Sequence, residues 1–147
     1  MDETTSIQER YWPDGICFGC GPANEKGLHI RSFPAGDEVV AEWQPGPHHQ
    51  AFPDILNGGI IGTLLDCHSA ATSYWAISGG GTNDVGQLVT ARYAVTLLSP
   101  TPVDRPVKIV GRAVDVGDRK VRVESHIEAR GKVTATCEGL FVVPKAR

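Results

Sequence analysis

The longest apolar pattern in the chain runs from Gly58 to Ile77 and predicts a helix. Its apolar side chains fall on two neighbouring stripes, so we expect protein on nearly all sides of it. The stripes are Ile60, Leu64, Cys67, Ala71 and Tyr74, then Ile61, Leu65, Thr72 and Trp75. Asp66 lies halfway along this helix, where burial of an ionised carboxylate is costly unless the group is paired or used. Asp66 is therefore the first candidate for chemistry.

Alternating apolar and polar positions predict strands on both sides of this helix. Before it, residues 28–33 and 38–43 predict a hairpin, and the proline-rich residues 44–57 predict a loop that ends at Asn57, a helix-capping residue. Four strands are predicted after it, at residues 87–98, 107–116, 120–130 and 132–143. The third alternates most clearly, with one apolar and one charged face.

This order of elements predicts an α+β fold in which one curved antiparallel sheet wraps around one long central helix. We assign residues 1–15 to an N-terminal tail and residues 16–147 to a single domain. A single sheet has free edges, and one flank of the helix would stay wet. We therefore expect two sheets to join side by side in a homodimer.

The net charge of −3 and the absence of a long basic run argue against nucleic acid or an anionic membrane as a partner. The sequence has no apolar run of transmembrane length, and its start is acidic and polar, unlike a signal peptide. These features predict a cytoplasmic protein.

Four cysteines are too few and too scattered for a disulfide framework, so we expect reduced thiols. Cys17 and Cys20 have the spacing of half a zinc site, but no second closely spaced pair follows to complete four ligands. The sequence alone therefore favours a tight turn with two small packed thiols and no metal.

Three segments of the chain resemble the hotdog-fold thioesterases, and within them the PaaI-like acyl-CoA thioesterases. They read CFGCGPANEKGLHIRSF, HHQAFPDILNGGIIGTLLD and LVTARYAVTLLSPTP, and the resemblance spans residues 16–143. Its sharpest feature is a glycine pair at the helix start, Gly58 and Gly59, with an acidic residue eight positions after the first glycine, Asp66.

The resemblance implies specific roles for three residues, and the chain differs from the family at a fourth. The Gly58 N–H would bind the thioester carbonyl, and Asp66 would act as general base on water or as nucleophile. Thr90 would hold the water. Asn57 stands where the family more often has His; an Asn caps a helix and donates an amide, but it cannot shuttle a proton.

Further candidates surround the predicted helix start. Gly59, His49, Gln50 and Phe52 are candidates for substrate contacts, and Arg92 is a candidate for the phosphates of CoA. His68 is expected to be a satisfied core histidine. No cofactor is expected, since CoA would enter as part of the substrate.

Helix geometry adds a constraint of its own. Eight residues separate Gly58 from Asp66, or about 12 Å along the axis, so one carbonyl cannot easily contact both. Two antiparallel helices across a dimer interface would place Gly58 of one chain opposite Asp66 of the other, in a homodimer or a dimer of dimers.

The sequence thus predicts an acyl-CoA thioesterase for a small or medium acyl, or aryl, thioester. Two alternatives stay open: an enoyl-thioester hydratase or dehydratase using His48 or His49 with Asp66, and a non-catalytic acyl-CoA or small-ligand binding protein. A purely structural Asp66, capped by a neighbouring hydroxyl such as that of Thr63, is a third interpretation.

Overall fold

The computed structural model describes residues 4–145 and has the predicted α+β architecture. The described elements are α1 (Ile7–Tyr11), β1 (Phe33–Ala35), β2 (Glu38–Trp43), β3 (Gln50–Phe52), β4 (Ile55–Leu56), α2 (Gly58–Ile77), β5 (Val89–Leu97), β6 (Val107–Val116), β7 (Lys120–Ala129) and β8 (Lys132–Val142). Six of these strands form one antiparallel sheet in the order β1-β2-β6-β7-β8-β5. Helix α2 packs against β2, β5, β6, β7 and β8, so the sheet wraps around it.

Helix α2 has the predicted bounds because its sequence marks both ends. Asn57 precedes it in an extended conformation, and its side-chain oxygen accepts the Ile60 N–H at 3.0 Å. Three glycines with positive φ, residues 79–81, follow its end. Leu64 and Leu65 are fully buried. One flank of the helix, around Gly59 and Asp66, is only partly covered by this chain.

The Asn57 cap yields a first prediction. Replacing Asn57 with Ala should lower the free energy of unfolding by about 1 kcal/mol, because the Ile60 N–H loses its acceptor, whereas Asn57→Asp should retain most of that stability. Urea denaturation at a fixed protein concentration measures the difference. The control is Asn83→Ala, which changes an exposed Asn beyond the helix end. An equal loss in both alanine variants would show that the cap is not its cause.

The strands after α2 follow the predicted pattern. In β7 the alternation places Val121, Val123 and Ile127 in the core, each at most 1% exposed, while the alternate positions are exposed or half-buried. Tight turns at Gly117 and Gly131 join β6 to β7 and β7 to β8, and Gly131 adopts a positive φ. Strands β6, β7 and β8 lie inside the sheet and cover α2.

The segments before α2 differ from the prediction. The first strand is Phe33–Ala35, and residues 28–32 are not part of it. The reason is a competing set of acceptors: the Leu28 and Ile30 N–H groups donate to the carbonyls of Phe18 and Gly19 at 2.8 and 3.0 Å. Residues 44–57, predicted to lack regular structure, contain a short 3₁₀ turn and the β3–β4 hairpin.

The segment assigned to an N-terminal tail is docked where the structure describes it. Ser6 caps α1, and Ile7 and Gln8 are buried. Gln8 donates to the Ser32 hydroxyl at 2.9 Å, and that hydroxyl lies 2.8 Å from Nδ1 of His68. Residues 1–3 and 146–147 lie outside the described residues.

His68 is the satisfied core histidine that the sequence predicts. It is fully buried, and its Nε2 donates to the Val39 carbonyl at 2.8 Å, which leaves Nδ1 to accept from Ser32. Burial lowers its pKa to about 4, so the ring is neutral.

Strand β5 forms one edge of the sheet and is exposed along almost its whole length. Apolar side chains stand along it and just after it: Val89, Tyr93, Leu97 and Leu98 are 48%, 43%, 57% and 57% exposed. An uncovered apolar edge of this kind is a template for pairing with another strand. None of the described helices is long and apolar enough to cross a membrane.

Candidate active site

Asp66 meets a strand residue 24 positions later in the chain. The Thr90 hydroxyl on β5 donates to Oδ1 of Asp66 at 2.7 Å. Asp66 is half-buried, so part of the residue remains accessible. The Thr63 hydroxyl instead donates to the Gly59 carbonyl at 3.1 Å. The structure therefore pairs Asp66 with Thr90 and not with Thr63.

The electrostatics of this carboxyl suit proton transfer. Burial raises the pKa of Asp66, the Thr90 hydroxyl opposes that rise by donating to the carboxylate, and a thiolate on Cys17 adds to it. A carboxylate held at some desolvation cost is a better base than a fully solvated one, since its proton affinity is higher.

The face of α2 that carries Asp66 is built from small residues. Gly58, Gly62 and Asp66 follow one another at intervals of four positions and lie on one stripe of the helix. A Cβ on Gly58 would lie 3.4 Å from Cδ1 of Leu97, and one on Gly62 would lie 3.8 Å from the hydroxyl of Tyr93. The stripe therefore runs along β5, ending at the Thr90 contact with Asp66.

The start of α2 offers backbone donors. Asn57 uses its side-chain oxygen to cap the Ile60 N–H and its carbonyl to accept from Ile61 at 3.1 Å. Gly58 and Gly59 are the first two residues of the helix, so their N–H groups have no acceptor within it. Together with the positive end of the helix dipole, they favour a carbonyl oxygen that gains negative charge.

The predicted loop contacts lie just before this helix start. His49 Nδ1 accepts the Gly46 N–H at 2.8 Å, its ring packs against Trp43, and burial together with neighbouring His48 lowers its pKa. Gln50 donates to the Pro47 carbonyl and accepts the Asp54 N–H, so both residues shape the turn.

Phe52 behaves differently from its loop neighbours: its side chain is 71% exposed at the hairpin tip. An apolar ring held in solvent there is available to a substrate or to a second chain.

Arg92 is not brought together with Asp66. A register irregularity between Thr90 and Arg92 pairs Arg92 with Leu140, while Thr90 pairs with buried Phe141. Arg92 consequently lines a groove on the outer face of the sheet with Arg122 and Glu124, away from α2. Its predicted contact with CoA phosphates gains no support within one chain.

Tyr93 and Leu97 on β5 lie beside the site and were not predicted from the sequence. The sequence contains a signal for the surface they face, the four-residue spacing of Gly58, Gly62 and Asp66. That β5 lies along this stripe depends on the sheet order, which places β5 beside β8 at the edge.

Comparison with known proteins finds structural relatives. No protein-family model matches the chain, and no curated protein matches its sequence. A thioesterase superfamily protein from Shewanella loihica PV-4 is 28% identical, with a TM-score of 0.70 over 84% of this chain and 98% of that one. Another thioesterase superfamily protein is 26% identical, with a TM-score of 0.73 over 86% of this chain and 60% of that one.

A third structure matches at lower identity. It is a Streptococcus mutans UA159 protein bound to acetyl-CoA, 18% identical, with a TM-score of 0.65 over 80% of this chain and 90% of that one. At that identity the likeness supports the fold only. The first two structures support a thioesterase-type function. By its sheet and its central helix the chain has the hotdog fold, and it is similar to solved structures of thioesterase superfamily proteins.

Proposed function

We propose that this protein is a PaaI-like acyl-CoA thioesterase that hydrolyses a small or medium acyl, or aryl, thioester. One observation carries the proposal: the half-buried Asp66, which accepts a hydrogen bond from Thr90 on β5, lies on the helix that begins with Gly58 and Gly59, whose N–H groups have no acceptor within the helix. A base and an oxyanion site therefore share one surface. The Streptococcus mutans protein, which shares this fold, is bound to acetyl-CoA, so the fold is able to hold an acyl-CoA.

In the proposed reaction the Gly58 N–H binds the thioester carbonyl at the start of α2. Asp66 removes a proton from water as the water oxygen attacks the carbonyl carbon, and the Gly58 N–H stabilises the resulting oxyanion. Collapse breaks the C–S bond, and the departing CoA sulfur takes up the proton that Asp66 removed from water, which gives a free thiol and a carboxylic acid and restores the Asp66 carboxylate. Thr90 orients Asp66 and the water.

We further propose that each site is shared between two chains of a homodimer, which can itself pair into a dimer of dimers. Gly58 and Asp66 are about 12 Å apart along one helix. The exposed β5 edge and the partly covered flank of α2 supply a surface on which a second copy can pack with its α2 antiparallel. Gly58 of one chain then faces Asp66 of its partner.

The surroundings of the loop histidines support hydrolysis over hydration. A hydratase needs a histidine free to act with Asp66 on the acyl chain. His49 is engaged with Gly46 and Trp43, and His48 packs against His49. Asn57 cannot transfer a proton, so Asp66 is the only proton acceptor in the proposed reaction.

The location and cofactor predictions extend this proposal. The four cysteines are free thiols, which supports a reducing, cytoplasmic environment. The proposed hydrolysis needs no redox cofactor, because CoA enters as part of the substrate.

The test is release of free thiol from acetyl-, hexanoyl-, long-chain, benzoyl- and phenylacetyl-CoA. We expect turnover of at least one short, medium or aryl ester and weak turnover of the long-chain ester. An intact thioester with an altered acyl chain would indicate a hydratase. Binding of the esters without thiol release would indicate a binding protein, and either result would overturn the proposal.

A further inference from the structure

Three cysteines from two distant parts of the chain meet beside α2. Cys17 and Cys20 lie on the turn that follows α1, and Cys67 lies on α2, directly after Asp66. Their three Sγ atoms lie within 4.8 Å of one another, with Cys17 and Cys67 separated by 3.7 Å. Cys20 and Cys67 are buried, whereas Cys17 is exposed. The fold thus supplies the third thiol that the sequence pattern lacked.

The turn is built to present its sulfurs to the helix. A Cβ on Gly19 would lie 2.4 Å from Sγ of Cys67, and one on Gly21 would lie 2.4 Å from the Cys17 nitrogen. A side chain at Gly19 would therefore push the turn away from α2, and one at Gly21 would force apart the backbone of the turn itself. The Gly21 N–H closes the turn by donating to the Cys17 carbonyl at 2.9 Å.

The same turn directs backbone donors at its first sulfur. The N–H groups of Gly19 and Cys20 lie against the Cys17 sulfur, and the Cys67 sulfur lies 3.7 Å from it. Cysteines bind metal ions as thiolates, so binding of an ion would release thiol protons.

We propose that Cys17, Cys20 and Cys67 bind one thiophilic divalent cation, of which Zn²⁺ is the best candidate, as three sulfur ligands with water in the fourth position. Tetrahedral zinc with Zn–S bonds of about 2.3 Å requires sulfur atoms about 3.8 Å apart, which the Cys17–Cys67 distance of 3.7 Å matches. Exposure of Cys17 provides the route by which the ion enters.

A bound ion would fix the N-terminal turn to the middle of α2. The turn also accepts the Leu28 and Ile30 N–H groups, so the ion would order the segment that leads into β1. This role is structural and does not depend on the proposed thioesterase reaction. It predicts that metal loading raises thermal stability in the Asp66→Asn variant as it does in the wild type.

The test begins with protein purified in reducing buffer without chelator. Mass spectrometry for metals should find one zinc per chain, and Co²⁺ added to the stripped protein should produce a thiolate-to-cobalt charge-transfer band. Cys17→Ser, at the exposed ligand, should weaken Zn²⁺ affinity by roughly 100-fold or more and abolish the band. Cys137→Ser is the matched control, since Cys137 is a buried free cysteine outside the cluster, and it should bind as the wild type does.

Circular dichroism checks that each variant is folded. Cys67 is buried, so a Cys67→Ser variant can unfold for reasons unrelated to metal; the test therefore depends on Cys17→Ser, at the exposed ligand. The proposal is overturned if folded, reduced wild-type protein equilibrated with Zn²⁺ retains no ion, or if Cys17→Ser binds as tightly as the wild type. A disulfide between Cys17 and either neighbour in protein that binds no metal when reduced would also overturn it, in favour of redox chemistry.

Discussion

Asp66→Asn is expected to reduce the rate of thioester hydrolysis by roughly 10²- to 10⁴-fold, the range that a general base contributes. An amide has nearly the shape of the carboxyl group, and its oxygen can still accept from Thr90, so geometry is preserved while the proton acceptor is lost. The measurement is thiol release at saturating substrate, using the best ester from the panel.

A measurement of the unfolding midpoint distinguishes a catalytic role of Asp66 from a purely structural one. Because burial raises the pKa of Asp66, its charge is held at a cost, and Asp66→Asn should leave the unfolding midpoint unchanged or higher. Asp115→Asn, at an exposed position on β6, is the matched control and should keep full activity. Activity within about tenfold of the wild type in Asp66→Asn would exclude the carboxylate as the base.

Leu98→Asp is expected to convert the proposed dimer to a monomer and to lower activity by roughly 100-fold or more. Leu98 is 57% exposed directly after β5, and a charge there opposes burial of the sheet edge against a second copy. A separated chain keeps Asp66 but loses the partner's Gly58 donor, and loss of one oxyanion donor costs roughly 10²- to 10³-fold. Analytical ultracentrifugation measures the oligomeric state of each sample before assay.

Val116→Asp is the matched control for that substitution. Val116 is 49% exposed at the far end of β6, away from the β5 edge, so this variant should remain dimeric and active. A folded Leu98→Asp monomer with full activity would show that the site is complete within one chain. A Leu98→Asp dimer would show that the two chains do not meet along β5.

Much of the fold could be read from the chain because its signals are local. The apolar stripes of α2, the Asn57 cap and the alternation of β7 each depend on residues close in sequence, and the structure has all three. The first strand was misplaced because alternation shows which side chains are buried, whereas the partners of the Leu28 and Ile30 N–H groups lie on a separate turn.

The candidate site likewise has features that depend on local sequence and features that depend on distant contacts. The sequence by itself determined that an acid lies mid-helix, eight residues after a glycine pair at a helix start, because helix periodicity fixes that spacing. Only the tertiary structure decided that Thr90 donates to Asp66. It also decided that Arg92 faces away from α2, because the strand register shifts between Thr90 and Arg92. The contact between Cys67 and Cys17, 50 residues apart in the chain, is likewise tertiary. Strand order and sheet closure set these contacts, and no periodicity within one segment encodes which distant segment will lie beside it.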